Sequence, residues 1–229
     1  MHLIHLFVKE HLTLGIFLQL FRQSALMKIK SSKHNEVEFK ATILNQAKKL
    51  FKIFGYEKLV MQDIARAVGK GRSTLYIYFK DKEAIFNAII EEEILDYIAN
   101  LSTELAKHDS AIEKLRAYVK IKFDFRHAKA AEYLMLTQEM VRQPDILMKM
   151  RVFSDPPETE HLAQIIRLGI KNENFAALSD EQIVIASRLI ISSLNGISTD
   201  LIAAGTRDLS PIRNLLPEMF LRSLSIVTD

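Results

Sequence analysis

Residues 68–79 read VGKGRSTLYIYF, and these residue types suit contact with phosphates and base edges better than bond making. Arg72, Ser73 and Thr74 open a short helical pattern just after Gly69-Lys70-Gly71. A guanidinium and two hydroxyls in a first helical turn can meet acceptors on base edges or phosphate oxygens. The free amides and the dipole of that turn also favour an anion. Lys70, Lys80 and Lys82 flank the helix. Upstream, Met61 to Val68 forms another short pattern, with Ile64, Ala65 and Val68 as its apolar face. Small Ala65 and Ala67 let two helices cross closely, and Gly69 lets the chain reverse between them. Two short helices about a glycine turn, over residues 60–79, describe a helix-turn-helix.

Charge placement agrees. Residues 28–83 carry 13 Lys/Arg against 6 Asp/Glu, whereas residues 84–229 carry 16 against 21. A basic segment on an acidic body fits a nucleic-acid-binding module joined to a second domain. Catalytic alternatives are poor. There is no Cys, so thiolate chemistry and Cys-based zinc sites are excluded. Of the seven His, only His2 and His5 have metal-ligand spacing, and His127 with Asp124 reads as a surface pair. The run from Gly196 to Asp200 lacks the second glycine of a nucleophile elbow. The expectation is therefore no enzyme, no metal and no cofactor.

The elements that must position these residues are helical. Hydrophobic residues make up 48% of 229, which argues against disorder, and only 7 Gly and 5 Pro argue against an all-β chain. From Asn35, a possible cap with Glu38, apolar residues fall at Ile43, Leu44, Ala47, Leu50, Phe51 and Phe54, followed by Gly55. Lys48, Lys49 and Lys52 read as a solvated face. A third short helix holds Thr74 to Phe79, and Asp81 caps a long helix from Lys82 to about Ala106, on which Glu91 to Glu93 read as solvated. Further helices are expected over about 110–127 and 130–143, the latter ended by Pro144. Pro156-Pro157 marks a loop before a helix from about Glu158 to Lys171. Ser179 caps a long apolar helix to about Ala204, and Ser210-Pro211 starts the last one, which Pro217 should end or kink.

The run ILNQAKKLFKIFGYEKLVMQDIARAVGKGRSTLYIYFKDKEAIFNAII, Ile43 to Ile90, resembles the TetR/AcrR family of bacterial transcriptional regulators. The matching marks are Phe51 to Tyr56, Asp63-Ile64-Ala65, Gly69, Thr74-Leu75-Tyr76-Ile77-Tyr78-Phe79 and Lys80 to Glu83. Against the family pattern, Val60 stands for a capping Ser or Thr, Lys70 for an apolar residue, Gly71 for a capping Ser and Ile77 for a Tyr. The resemblance implies an all-α fold. Residues 36–96 would form a three-helix helix-turn-helix domain, and residues 97–229 a helical ligand-binding and dimerisation domain. It further implies a cytoplasmic, homodimeric regulator, a repressor released from a palindromic operator by a small molecule. DNA contacts are expected from Lys70, Gly71, Arg72, Ser73, Thr74, Tyr76, Tyr78, Lys80 and Lys82, with Leu75 and Phe79 in the core.

The helices over about 179–204 and 210–226 carry more apolar residues than one core face can use, which marks them for the dimer interface. Large adaptable side chains in the middle helices, Tyr118, Phe123, Phe125, Tyr133, Met135, Met140 and Phe153, with Met148 and Met150, suggest an apolar ligand pocket behind Ser110. The ligand is expected to be mainly apolar, with any charge met by Arg126, Glu132 or Glu139. Residues 1–35 are an extension of a different kind. Its apolar run, Leu12 to Phe21, is too short to cross a membrane. It reads as an extra helix, as sequence ahead of a true start at Met27, or as an anchor or signal. The rival reading of the whole chain is a helical interaction protein held at a membrane surface by residues 1–27.

Overall fold

A computed structural model describes residues 35–142, 144–206 and 208–225. Apart from Asn35, the extension therefore lies outside the described residues. Among those described there are nine helices and no strand. They are α1 (35–54), α2 (Met61–Ala67), α3 (Arg72–Tyr78), α4 (Lys82–Leu105), α5 (Ala111–Glu132), α6 (Leu134–Arg142), α7 (Pro144–Lys171), α8 (Asp180–Ala203) and α9 (Ser210–Leu224).

The local signals act largely as expected. Gly55 ends α1 at φ +76° with its amide on the Phe51 carbonyl at 3.0 Å. Gly69 takes φ +68° in the turn between α2 and α3. Asp81 accepts from the Ala84 amide at 2.7 Å and caps α4. Ser179 and Gln182 form a reciprocal capping box on α8. Asn35 is already helical rather than a cap, and α3 starts two residues ahead of Thr74, with Gly71 as its N-cap.

Three expectations fail for identifiable reasons. The break near residues 127–130 is absent. Ala128, Ala130 and Ala131 are strong helix formers, so α5 continues to Glu132 and the chain turns at Tyr133. Pro156 and Pro157 lie inside α7 instead of in a loop. The carbonyls they leave without an amide are those of Val152 and Phe153, and Val152 is 72% exposed, where water can serve. One turn on, Thr159 Oγ1 donates to the Asp155 carbonyl at 2.7 Å and His161 Nδ1 lies 2.8 Å from that of Pro157. Pro217 is buried within α9, which runs on to Leu224.

Buried residues form two clusters. The first joins α1 to α3 with the start of α4, through Ile43, Phe51, Ile64, Leu75, Ile85 and Phe86. The second joins the end of α4 to α5, α7, α8 and α9, through Leu101, Leu115, Tyr118, Ile166, Ile191 and Leu216. Tyr133 and Leu136, from the α5–α6 corner, belong to the first. That corner also clamps the turn after α1. Glu139 on α6 accepts from the amides of Tyr56 at 2.5 Å and Glu57 at 3.3 Å. A Cβ on Gly55 would stand 2.4 Å from a Glu139 carboxylate oxygen. Replacing Gly55 with Ala therefore strains φ and pushes the clamp aside. We expect a loss of about 1–3 kcal/mol, read as a lower urea midpoint at unchanged m-value.

Candidate nucleic-acid interface and ligand cavity

In the helix-turn-helix, Ile64, Ala65 and Leu75 are fully buried and fix α3 against α2. Leu75 thereby turns the first turn of α3 outward: Lys70, Gly71, Arg72 and Ser73 are exposed and Thr74 is half-buried. Val60 caps α2 without a side-chain acceptor, and Asp63 takes over by accepting from the Val60 amide at 3.2 Å. Arg72 lies back along its own helix, donating from Nε and Nη2 to the Tyr76 hydroxyl at 3.1 and 2.7 Å. Tyr76 and Ile77 are exposed. Tyr78 packs edge-on against Phe39 with ring centroids 5.0 Å apart, and Phe79 is half-buried against the first core.

Lys82 differs from the other cations. Its ammonium donates to the Tyr56 carbonyl at 2.5 Å and the Glu57 carbonyl at 3.4 Å, and sits 4.3 Å over the Tyr56 ring. Burial lowers its proton affinity from the usual lysine value, with Glu139 and Glu57 pulling the other way. Lys80 is exposed, with Asp81 at 3.9 Å.

A second feature lies between the two cores. A cavity partly open to solvent is lined by Phe51 of α1, by Phe86, Ile89, Ile90, Ile94 and Tyr97 of α4, and by residues of α5 to α8. Phe125, Tyr133 and Met150 line it, as does Arg126. The expected pocket must be redrawn, because α4 supplies much of the wall and its residues were not foreseen. Tyr118 and Phe123 are 0% and 1% exposed within the second core and do not line it, and Phe153 packs against the first core. Met135 and Met148 also lie off the cavity, and the side chain of Met140 falls outside the described residues. Nor are Glu132 and Glu139 lining residues.

The wall also carries buried charge. Lys122 and Glu158, 3% and 1% exposed, line the cavity and pair with each other, while the Tyr118 hydroxyl donates to Glu158 at 2.6 Å. Burial pulls the Lys122 ammonium below its usual value, opposed by Glu158. Elsewhere, Glu93 bonds Lys129 at 2.5 Å and Lys48 at 3.3 Å, and Glu132 bonds Lys52 and Lys129. So Lys48, Lys52 and Glu93 form an ion network between α1, α4 and α5 rather than solvated faces. Asp124 pairs with Arg213 of α9, and the His127 ring packs at a tilt against Phe123, with centroids 4.4 Å apart. Among the described residues no group of His, Asp or Glu could hold a metal ion.

The family model for bacterial regulatory proteins of the tetR family matches residues 43–89, which hold α2, α3 and most of the first core. Over residues 43–89 the chain is a TetR-family helix-turn-helix domain. Among curated relatives, the HTH-type transcriptional regulator YfiR of Bacillus subtilis is 31% identical over 41% of this chain and 45% of its own. The fatty acid metabolism regulator protein of the same organism is 26% identical over 43% of this chain and 50% of its own. The chain thus spans about half the length of these relatives. Among solved structures, FadR from Bacillus subtilis in complex with stearoyl-CoA superposes with a TM-score of 0.64 at 22% identity, covering 80% of this chain and 97% of that one. FadR from Bacillus halodurans gives 0.62 at 20% identity, covering 80% and 94%. These likenesses establish a TetR-like fold for both parts of the chain.

Within that TetR head, Arg72 and Lys82 line one shallow groove with Leu59 to Gln62, but their bonds differ. Arg72 bonds only its own helix, whereas Lys82 ties α4 to the turn after α1. Lys82→Ala is expected to lower stability by about 1 kcal/mol and Arg72→Ala to leave it within about 0.5 kcal/mol, as measured by chemical denaturation.

Proposed function

We propose that this protein is a homodimeric, cytoplasmic transcriptional repressor that leaves its operator when a small molecule fills the cavity between its two cores. Exposed Gly71, Arg72 and Ser73 at the start of α3, held outward by fully buried Leu75, are the observation that carries the DNA half of this reading. Residues 36–96 read DNA and residues 97–229 hold the partner, and both parts contribute to the wall around the ligand. Arg72, Ser73 and Thr74 meet bases or backbone, and Lys70, Gly71, Tyr76, Tyr78 and Lys80 add phosphate contacts. Lys82 positions the head through Tyr56 and reaches phosphate only from its groove.

Dimerisation is supported by α8 and α9. While Ile183, Ile190, Ile191, Leu194 and Leu216 enter the core, Val184, Ile185, Leu189, Leu215 and Met219 stay 40–62% exposed. These are exposed apolar side chains on two helices that both pack on α5, suited to an isologous four-helix contact. Two reading heads then require a nearly palindromic site. The family match supports this reading over membrane-surface attachment through residues 1–27, and no helix among the described residues is long and apolar enough to cross a membrane. The apolar wall of Phe51, Phe86, Ile89, Ile90 and Leu136 suits a hydrocarbon body, consistent with the acyl-CoA held by the similar Bacillus subtilis fold.

Operator selection from random duplexes tests the proposal. Arg72→Ala is expected to weaken binding by about 1–3 kcal/mol and to relax specificity at one position, whereas Lys70→Ala weakens all sequences alike and lowers the salt slope by about 1. Unchanged affinity in both variants overturns the interface. Leu189→Asp is expected to give monomeric mass in light scattering at micromolar concentration and to lose operator binding. A wild-type monomer overturns the dimer.

A further inference from the structure

The cavity lining is chemically mixed. Phe51, Phe86, Ile89, Ile90 and Leu136 give it an apolar wall, the Glu93–Lys129 pair lies on the same lining, and Tyr97, Arg126 and Thr199 add polar groups alongside the Lys122–Glu158 pair. Four cations line the wall, and three have carboxylate partners: Lys122 with Glu158, Lys129 with Glu93, and Arg151 with Asp155. Arg126 has none within ion-pair distance among the described residues. Its Nη2 reaches the Thr199 hydroxyl at 3.2 Å and the Asn195 carbonyl at 3.5 Å, and its Nε is buried without a partner. The Tyr97 hydroxyl, on a residue 3% exposed, is also buried without a partner. Burial raises the Tyr97 proton affinity well above its usual value, so it stands as a neutral donor. Two unmet donors and an unpaired positive charge in one wall are unfavourable when left so, and they match what a carboxylate supplies: two acceptor oxygens and a negative charge.

We propose that the ligand is an apolar carboxylic acid, with its hydrocarbon body against Phe86, Ile89 and Leu136 and its carboxylate on the Arg126 guanidinium and the Tyr97 hydroxyl. This deepens the effector reading above and rests on it only for the consequence at DNA. Glu158 attracts the guanidinium through space but makes no ion pair or hydrogen bond with it, and its Oε2 takes both Lys122 and Tyr118. A neutral head leaves the charge unpaired, and an amine adds a second cation beside it.

The test measures binding of dodecanoic acid, dodecan-1-ol, dodecylamine and dodecanoyl-CoA to the full chain by calorimetry. The acid is expected to bind at least about tenfold tighter than the alcohol, the difference one charge-assisted bond makes. Arg126→Gln is expected to erase that preference while leaving the alcohol unchanged, and Tyr97→Phe to reduce it. A urea melt of each variant identifies any that fails to fold, in which case Tyr97→Phe alone decides. Equal affinity for acid and alcohol, tightest binding of the amine, or binding of the thioester alone overturns the proposal. Operator binding is read separately. If the acid binds through Arg126 but leaves operator affinity unchanged, the head-group assignment stands and the effector reading fails. If acid and alcohol release the operator equally, the effector reading stands and the head-group assignment fails.

Discussion

The apolar stripe of α4, running from Ile85 to Leu105 at helical spacing, is used by two cores at once. Ile85, Phe86, Ile89, Ile90 and Ile94 close the cluster beneath the helix-turn-helix, and Tyr97, Leu101 and Leu105 close the cluster of the helical body. A helix is stiff over this length, so neither cluster can move along α4 without the other following. The cavity lies where the stripe passes from one cluster to the other, and Phe86 through Tyr97 form its wall. A molecule there touches the connecting helix itself rather than a remote face.

Around this seam the contacts are polar and adjustable. Lys48 and Lys52 of α1 meet Glu93 of α4 and Glu132 of α5, and Glu139 of α6 holds the amides after Gly55. Such partly exposed ion pairs are individually worth little and can be exchanged for other pairings at small cost. The cores on either side are close-packed and resist deformation. Rigid bodies joined by exchangeable polar contacts are the arrangement in which a small local shift becomes a rotation of one body against the other.

Much of the helix-turn-helix domain was legible because its signals are local. Gly55 and Gly69 take left-handed φ, Asp81 caps, and Leu75 faces inward, each set by its immediate neighbours. The failures share a cause, which is that tertiary context outweighs a local rule. Pro156-Pro157 reads as a break, yet α7 runs through it with Val152, whose carbonyl loses its amide, at an exposed position, and charged residues on α1 and α4 read as solvated until they are seen facing one another. The cavity was the least legible part. Tyr118 and Phe123 have the same character as Phe125 and Tyr133, and which of them line a space depends on how α5 is rotated against α4 and α7. One signal was available: the α4 stripe is longer than a three-helix head can cover, so part of it had to face something else.

The buried Lys122–Glu158 pair shows why the polar groups of the cavity beside it stay in place. Opposite charges buried together hold little net stability over an apolar pair, but removing one partner leaves a desolvated charge and costs about 3–5 kcal/mol. The pair joins α5 to α7, and the Tyr118 hydroxyl adds a second bond, so these two helices are fixed in register next to Arg126. A donor constellation held this way binds without first being ordered, so less of the interaction is lost to conformational entropy. With α5 and α7 fixed, and α8 and α9 committed to the proposed partner contact, the wall left to yield is α4. Under the proposed function, its movement carries both reading heads, and the two half-sites can no longer be met together. Ligand and operator affinities are then linked reciprocally, by about 1–3 kcal/mol where such coupling has its usual size.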